Sequence, residues 1–147
     1  MTDQLPNTSV TTEPAQVVEG FLYALRDKEF DTADALLDDD LVYQNVGLPT
    51  VRGRQRTMKM MRGLDRPNAR FDVKIHRIAS EGNAVLTERT DVLGFGSFEA
   101  HFWVCGVFEV RDGRITLWRD YFDTVDFIKG IVRGFAGMAI PSLRRSL

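Results

Sequence analysis

"FDVKIHRIASEGNAVLTERTDVLGFGSFEAHFWVCGVFEVRDGRITLWRDYF", residues 71–122, is the stretch whose reading decides the fold. Four runs rich in β-branched and aromatic residues, 71–79, 84–93, 98–110 and 114–122, are separated by "SEGN", "GFGS" and "RDGR". Strand formers bounded by Gly, Asn and Asp turn signals predict four consecutive antiparallel strands, a meander. The last run ends in "LWRDYFD", residues 117–123, and poses a problem. Alternate residues of a strand share a face, so Trp118, Asp120 and Phe122 point together. Asp120 is then a carboxylate between two large aromatics, and such a group is rarely buried without a partner.

Outward from the meander, "LVYQNV" (41–46) reads as a further strand added at an edge and ended by Gly47 and Pro49. Helices precede it. Val17, Val18, Phe21, Leu22 and Leu25 recur at helical spacing, behind Thr12 as the expected N-cap and Pro14 in the first turn. "DTADALL" (31–37) predicts a short helix capped by Asp31, and "RQRTMKMMRGL" (54–64) another, with Thr57, Met60, Met61 and Leu64 on one face. "VDFIKGIVRGFAG" (125–137) predicts a last helix over the mouth of the sheet. Helices followed by a run of strands indicate an α+β fold. The expected architecture is a cone-shaped, strongly curved mixed β-sheet with helices packed on its concave face, which makes a natural pocket. Residues 1–147 are read as one domain, with about 1–12 a flexible polar tail.

Composition narrows the function. With 44% hydrophobic and 27% charged residues and a net charge of -2, the chain has no general attraction to nucleic acid or anionic lipid. No apolar run reaches membrane-spanning length and the start lacks signal-peptide character, so a cytoplasmic protein without membrane insertion is expected. The single Cys105 allows no internal disulfide and no Cys-based metal cage, and is expected to be a small buried hydrophobe. His76 and His101 match no metal motif and are read as ordinary strand residues, so neither metal nor cofactor is expected. The basic cluster from Arg52 to Arg70 has no interleaved aromatics and reads as a solvated face rather than a phosphate site.

Polar residues sit within three of the apolar strands. Tyr43 and Asn45 share one face of "LVYQNV", Arg89 and Asp91 share one face of "LTERTDVL", and Asp120 lies between Trp118 and Phe122. Residues two apart on a strand are about 6.5–7 Å apart at Cα, close enough for their side chains to converge. Each alone has an ordinary structural explanation, such as an ion pair or a satisfied core Tyr. Together they are what an acid–base site that handles water requires.

"YQN", "RTD" and "WRDYFD", in this order and at this spacing, resemble the limonene-1,2-epoxide hydrolase family, particularly its mycobacterial members. The resemblance runs over nearly the whole chain. It implies the cone-shaped fold shared with ketosteroid isomerase, scytalone dehydratase and nuclear transport factor 2, cofactor-free epoxide hydrolysis, and a homodimer. It also implies that Tyr43, Asn45 and Asp120 hold and deprotonate water, that Asp91 is the acid, and that Arg89 bridges the two carboxylates. A one-step opening needs a base on one side of the epoxide and an acid on the other. Burial and mutual repulsion oppose the effect of Arg89, so the carboxylates are expected to retain one proton between them. The expected partners are a small lipophilic epoxide and water. The rival readings are another enzyme of this fold (an isomerase, dehydratase or polyketide cyclase) and a non-catalytic module for lipophilic ligands. A third rival is an epoxide hydrolase of α/β-hydrolase type, against which stand a chain short for that fold and the lack of a G-x-S-x-G elbow or a nucleophile-plus-His pair.

Overall fold

The computed structural model describes residues 13–147. Helix α1 (Pro14–Arg26) begins at a proline, whose missing N–H is no loss in a first turn, and Glu13 is its N-cap. Thr12, expected as the cap, and the tail before it lie outside the described residues. The apolar stripe read from the sequence is the buried one: Val17, Val18, Phe21, Leu22 and Leu25, joined by Ala24. The N-cap of helix α2 (Phe30–Ala35) is Glu29, two residues earlier than expected, so Asp31 lies in its first turn instead of capping it.

Strand β1 (Leu37–Asn45) is longer than the run that signalled it and is followed by a two-residue strand β2 (Val51–Arg52). Three acidic residues, Asp38 to Asp40, hid the first half of β1 from a reading based on strand propensity. Helix α3 (Arg54–Met61) passes into a 3-10 turn at Arg62–Leu64. Its inward residues are Thr57 and Met58, whereas Met60, expected on the packed face, is half exposed. Three of the six arginines of the basic cluster form surface ion pairs. Arg54 pairs with Asp34 and Asp39, Arg62 with Asp31 and Asp34, and Arg70 with Glu99.

The meander forms as read: β3 (Ala69–Glu81), β4 (Ala84–Phe95), β5 (Phe98–Arg111) and β6 (Arg114–Phe122) pair antiparallel in sequence order. The six strands are ordered β2-β1-β6-β5-β4-β3. Strand β1 is therefore not at the edge. It pairs parallel to β6 on one side and antiparallel to β2 on the other. A parallel partner must arrive by a crossover, and no local turn signal could have announced it.

Helix α1 packs across the inner face of β3 to β6 and closes a core of Phe21, Leu22, Leu37, Leu41, Val85, Phe108, Val110, Ile115 and Trp118. Helix α4 (Thr124–Ala139) begins where β6 stops. Strand β5 pairs with β6 only from Val104 onward, and α4 lies along the remaining stretch. Asp126 accepts the free Trp103 backbone N–H at 3.0 Å, and a Cβ at Gly130 would collide with the His101 carbonyl. The helix thereby covers an otherwise open strand edge. No helix among the described residues is long and apolar enough to cross a membrane.

Candidate active site

The three charges of "LWRDYFD" have three different fates. Arg119 faces outward and donates to Gln44, its parallel neighbour on β1, at 2.9 Å. Asp123 caps α4, its carboxylate accepting the backbone N–H groups of Val125 at 2.7 Å and Asp126 at 3.1 Å. Asp120 points inward and is buried.

Strand register explains what Asp120 meets. Thr87 on β4 faces Gly106 on β5, Gly106 faces Asp120 on β6, and Asp120 faces Asn45 on β1. One step along, Val85, Phe108, Trp118 and Tyr43 form a parallel row. Polar groups separated by up to 75 positions in sequence thus lie in adjacent rows of one sheet face. Arg89, one pair further along β4, turns its side chain back over the first row. Its Nη2 donates to Asp120 Oδ2 at 2.6 Å and to Asp91 Oδ2 at 3.1 Å, while Nε donates to Asp91 Oδ1 at 2.8 Å. Arg89 is completely buried, which only a set of partners of this quality makes tolerable.

Trp118 adds a fourth member. Its indole N–H donates to Asp120 Oδ2 at 2.9 Å, so Oδ2 accepts from both Arg89 and Trp118. Asp120 Oδ1 is, among the described residues, a buried side-chain oxygen without a protein partner. Asn45 donates its amide to the Tyr43 hydroxyl at 2.8 Å, and the Tyr43 ring stacks obliquely on Trp118 with centroids 4.2 Å apart.

Burial governs the ionisation. It pushes the Asp91 carboxyl up to about 6, with Arg89 pulling the other way and the charge of Asp120 adding to the rise. Asp120 is pushed up for the same reason, against the opposing pull of Arg89 and the Trp118 hydrogen bond. Burial lowers Arg89, but the two carboxylates more than offset this and hold it above its ordinary value. Tyr43 is raised to about 12 by burial, so it is a neutral phenol at any working pH.

All five residues singled out in the sequence flank one cavity of about 330 Å³, with Tyr43, Asn45, Asp91 and Asp120 in its wall and Arg89 behind them. The rest of the wall is apolar, supplied chiefly by Leu25, Met61, Phe71, Phe102, Phe122 and Phe127. A more open groove of about 560 Å³ lies on the outer face beside His76, Thr90 and Trp103. Its Arg77 and Glu88 pair with each other, and it contains neither of the buried carboxylates. Among the described residues no group of three or more His, Cys, Asp or Glu side chains is placed to hold a metal ion.

A family model described as the limonene-1,2-epoxide hydrolase catalytic domain matches residues 12–133. The chain belongs to the limonene-1,2-epoxide hydrolase family. This family member is 54% identical to epoxide hydrolase EphG of Mycobacterium tuberculosis, over all of this chain and 98% of that one. It superimposes on the structure of an M. tuberculosis epoxide hydrolase of the same type with a TM-score of 0.88 at 55% identity, covering 94% of this chain and 98% of the other. A protein of ketosteroid isomerase-like fold from Catenulispora acidiphila matches with a TM-score of 0.68 at 16% identity, over 80% and 92% of the two chains. That likeness is one of fold alone.

Within this limonene-1,2-epoxide hydrolase family member, the residues that sequence reading missed are the supporting ones. In the sequence Trp118 stands only as a large aromatic beside Asp120, and its position two before that residue is what puts its indole N–H within reach of the carboxylate. The run 98–110 is apolar on both faces, and the structure selects the even side: Phe102, Val104, Gly106, Phe108 and Val110 face inward. His101 therefore lies on the opposite side, bonded to Glu99, and does not line the cavity. His76 is exposed and bonded to Thr90. Cys105, expected to be buried, is exposed on that same outer face because it alternates with Val104 and Gly106.

Proposed function

We propose that the protein hydrolyses a lipophilic epoxide to a vicinal diol by one-step attack of water, without a cofactor. The observation that carries this reading is the Arg89 fork shared by Asp91 and Asp120 at the polar end of an apolar cavity, with Asp120 Oδ1 left unengaged. Identity to named epoxide hydrolases over the whole chain supports it.

In this mechanism Asp120 is the general base, acting through Oδ1 on a water that Tyr43 and Asn45 orient. As the water oxygen forms its bond to the epoxide carbon, its proton passes to Asp120. The ring carbon–oxygen bond breaks on the other side, and Asp91 gives its proton to the departing oxygen. The pair starts and ends with one proton: that of Asp91 leaves on the diol, Asp120 holds the one taken from the water, and exchange in the site then returns a proton to Asp91. A carboxylate is a weak base near neutrality, so fixed geometry supplies much of the acceleration. An Arg shared by two carboxylates also favours hydration over an isomerase, which needs one base and an oxyanion hole.

The lining favours a lipophilic substrate, because burying apolar surface yields about 25 cal/mol per Å² and the wall has few polar groups beyond the reacting ones. We also propose a homodimer. Val125, Ile128, Val132 and Phe135 of α4 expose a continuous apolar stripe, which a second copy would cover. A cytoplasmic location accords with the lone, unpaired Cys105. The test of the activity is diol formation from a panel of terpene, fatty-acyl and sterol epoxides. Ligand binding with no diol from any of them, and no effect of Asp91→Asn, would favour the non-catalytic module instead.

A further inference from the structure

Arg89 carries a fourth hydrogen bond that the reaction itself does not use. Its Nη1 donates to the Thr87 hydroxyl at 3.1 Å, and Thr87 is as buried as the acids. Thr87 and Asp120 flank Gly106 in one cross-strand row, and the Arg89 guanidinium lies over that glycine. A Cβ at Gly106 would overlap Arg89 Nη1 and come within 2.7 Å of Thr87 Oγ1. The backbone of Gly106 is not in the left-handed region, so no turn geometry demands a glycine there. What the position requires is an empty slot. The Phe108 ring, centred 5.8 Å from the guanidinium carbon, bounds the same slot on the core side.

We infer that Thr87 and Gly106 form a socket that aims the Arg89 guanidinium at both carboxylates, making Thr87 a positioning residue for the reaction. Without the slot, Arg89 on β4 could not cross β5 to reach Asp120 on β6. Without the hydroxyl, Nη1 is a buried donor with no acceptor, a defect that the guanidinium relieves by rotating. The guanidinium is a rigid plane that swings as a unit about the torsions of its stem, so loss of the anchor at Nη1 loosens the contact at Nη2. The inference rests on the hydrolase reading for its catalytic meaning, but the socket itself has a readout independent of turnover.

The experiment compares Thr87→Val, which keeps the shape and removes the acceptor, with Thr87→Ser, which restores it. Diol formation and the ¹³C carboxyl titrations of Asp91 and Asp120 are measured on the full chain. Thr87→Val should lower kcat by about 10–100-fold with KM little changed, as expected for misaimed catalytic groups. Both carboxyl titrations should move upward, because a loosened Arg89 stabilises their charge less. Thr87→Ser should restore rate and titrations together. Gly106→Ala should reproduce the Thr87→Val titration shift where it folds, and the Val/Ser pair decides the matter where it does not. A Thr87→Val protein whose titrations match wild type overturns the socket, whatever its melting temperature. Shifted titrations in Thr87→Val beside a wild-type chain that makes no diol would uphold the socket and sink the hydrolase reading.

Discussion

Arg89 Nη2 and Asp120 Oδ2 meet at 2.6 Å although β5 lies between their strands and 31 positions separate them in the chain. The contact depends on a planar fork that, together with the Asp120 side chain, spans two strand spacings of about 4.8 Å each. Arg89→Lys keeps the charge but cannot hold Asp91 at two oxygens and Asp120 at a third. Turnover should fall by roughly 100-fold or more. Thermal unfolding should register a loss smaller than the roughly 3–5 kcal/mol typical when one partner of a buried pair is removed outright.

Asp120→Asn removes the proposed base while preserving shape and the acceptor for Arg89 and Trp118. Turnover should drop by about 10²–10⁴-fold, the usual worth of a general base, with circular dichroism unchanged. A rate close to wild type would take the base away from Asp120.

Trp118→Phe keeps an aromatic against Tyr43 and Phe21 but deletes the N–H that occupies Asp120 Oδ2. A hydrogen bond to a charged group is worth about 1.5–3 kcal/mol, so the carboxylate should titrate higher. The acid limb of the rate profile should move upward with it. A merely structural Trp would lower the melting temperature and leave that limb in place.

The pH dependence has a definite sign. Asp91 is raised from an ordinary 3.8 to about 6, so the folded state binds its proton more tightly than the unfolded chain does. Its contribution to stability is fully present below about pH 4 and is lost as pH rises through about 6. Asp120 acts in the same direction. Denaturant titrations should find wild type losing stability between pH 4 and 6.5, and Asp91→Asn should flatten that slope. The proposed acid role of Asp91 needs the same proton, so kcat/KM should fall on the alkaline side with a limb near 6.

A carboxylate can also attack an epoxide directly, and isotope labelling separates the routes. The covalent route needs a second base to activate the hydrolytic water. Neither His lines the cavity, His101 facing away and His76 lying on the outer surface. In a single turnover with enzyme in excess and ¹⁸O water, the diol should carry the label and Asp120 should not. Label in the Asp120 carboxylate, with an unlabelled diol, would overturn the one-step mechanism.

The sequence by itself determined what local chemistry controls. The turn signals after residues 79, 93 and 110 set the meander, and the apolar spacing from Val17 to Leu25 set the first helix. Period-two alternation put Arg89 with Asp91, and Trp118 with Asp120, on common faces before any neighbour was known. Pairing between distant segments was not legible. The parallel insertion of β1 beside β6 is a non-local contact that no turn encodes, and it is what brings Tyr43 and Asn45 to Asp120. Strand β5, apolar on both sides, has no alternation from which to read its inward face, so the side that carries Gly106 emerged only from its registers with β4 and β6. The socket beneath Arg89 was invisible for the same reason. A glycine in a strand signals that something comes close, and only the tertiary structure decides what.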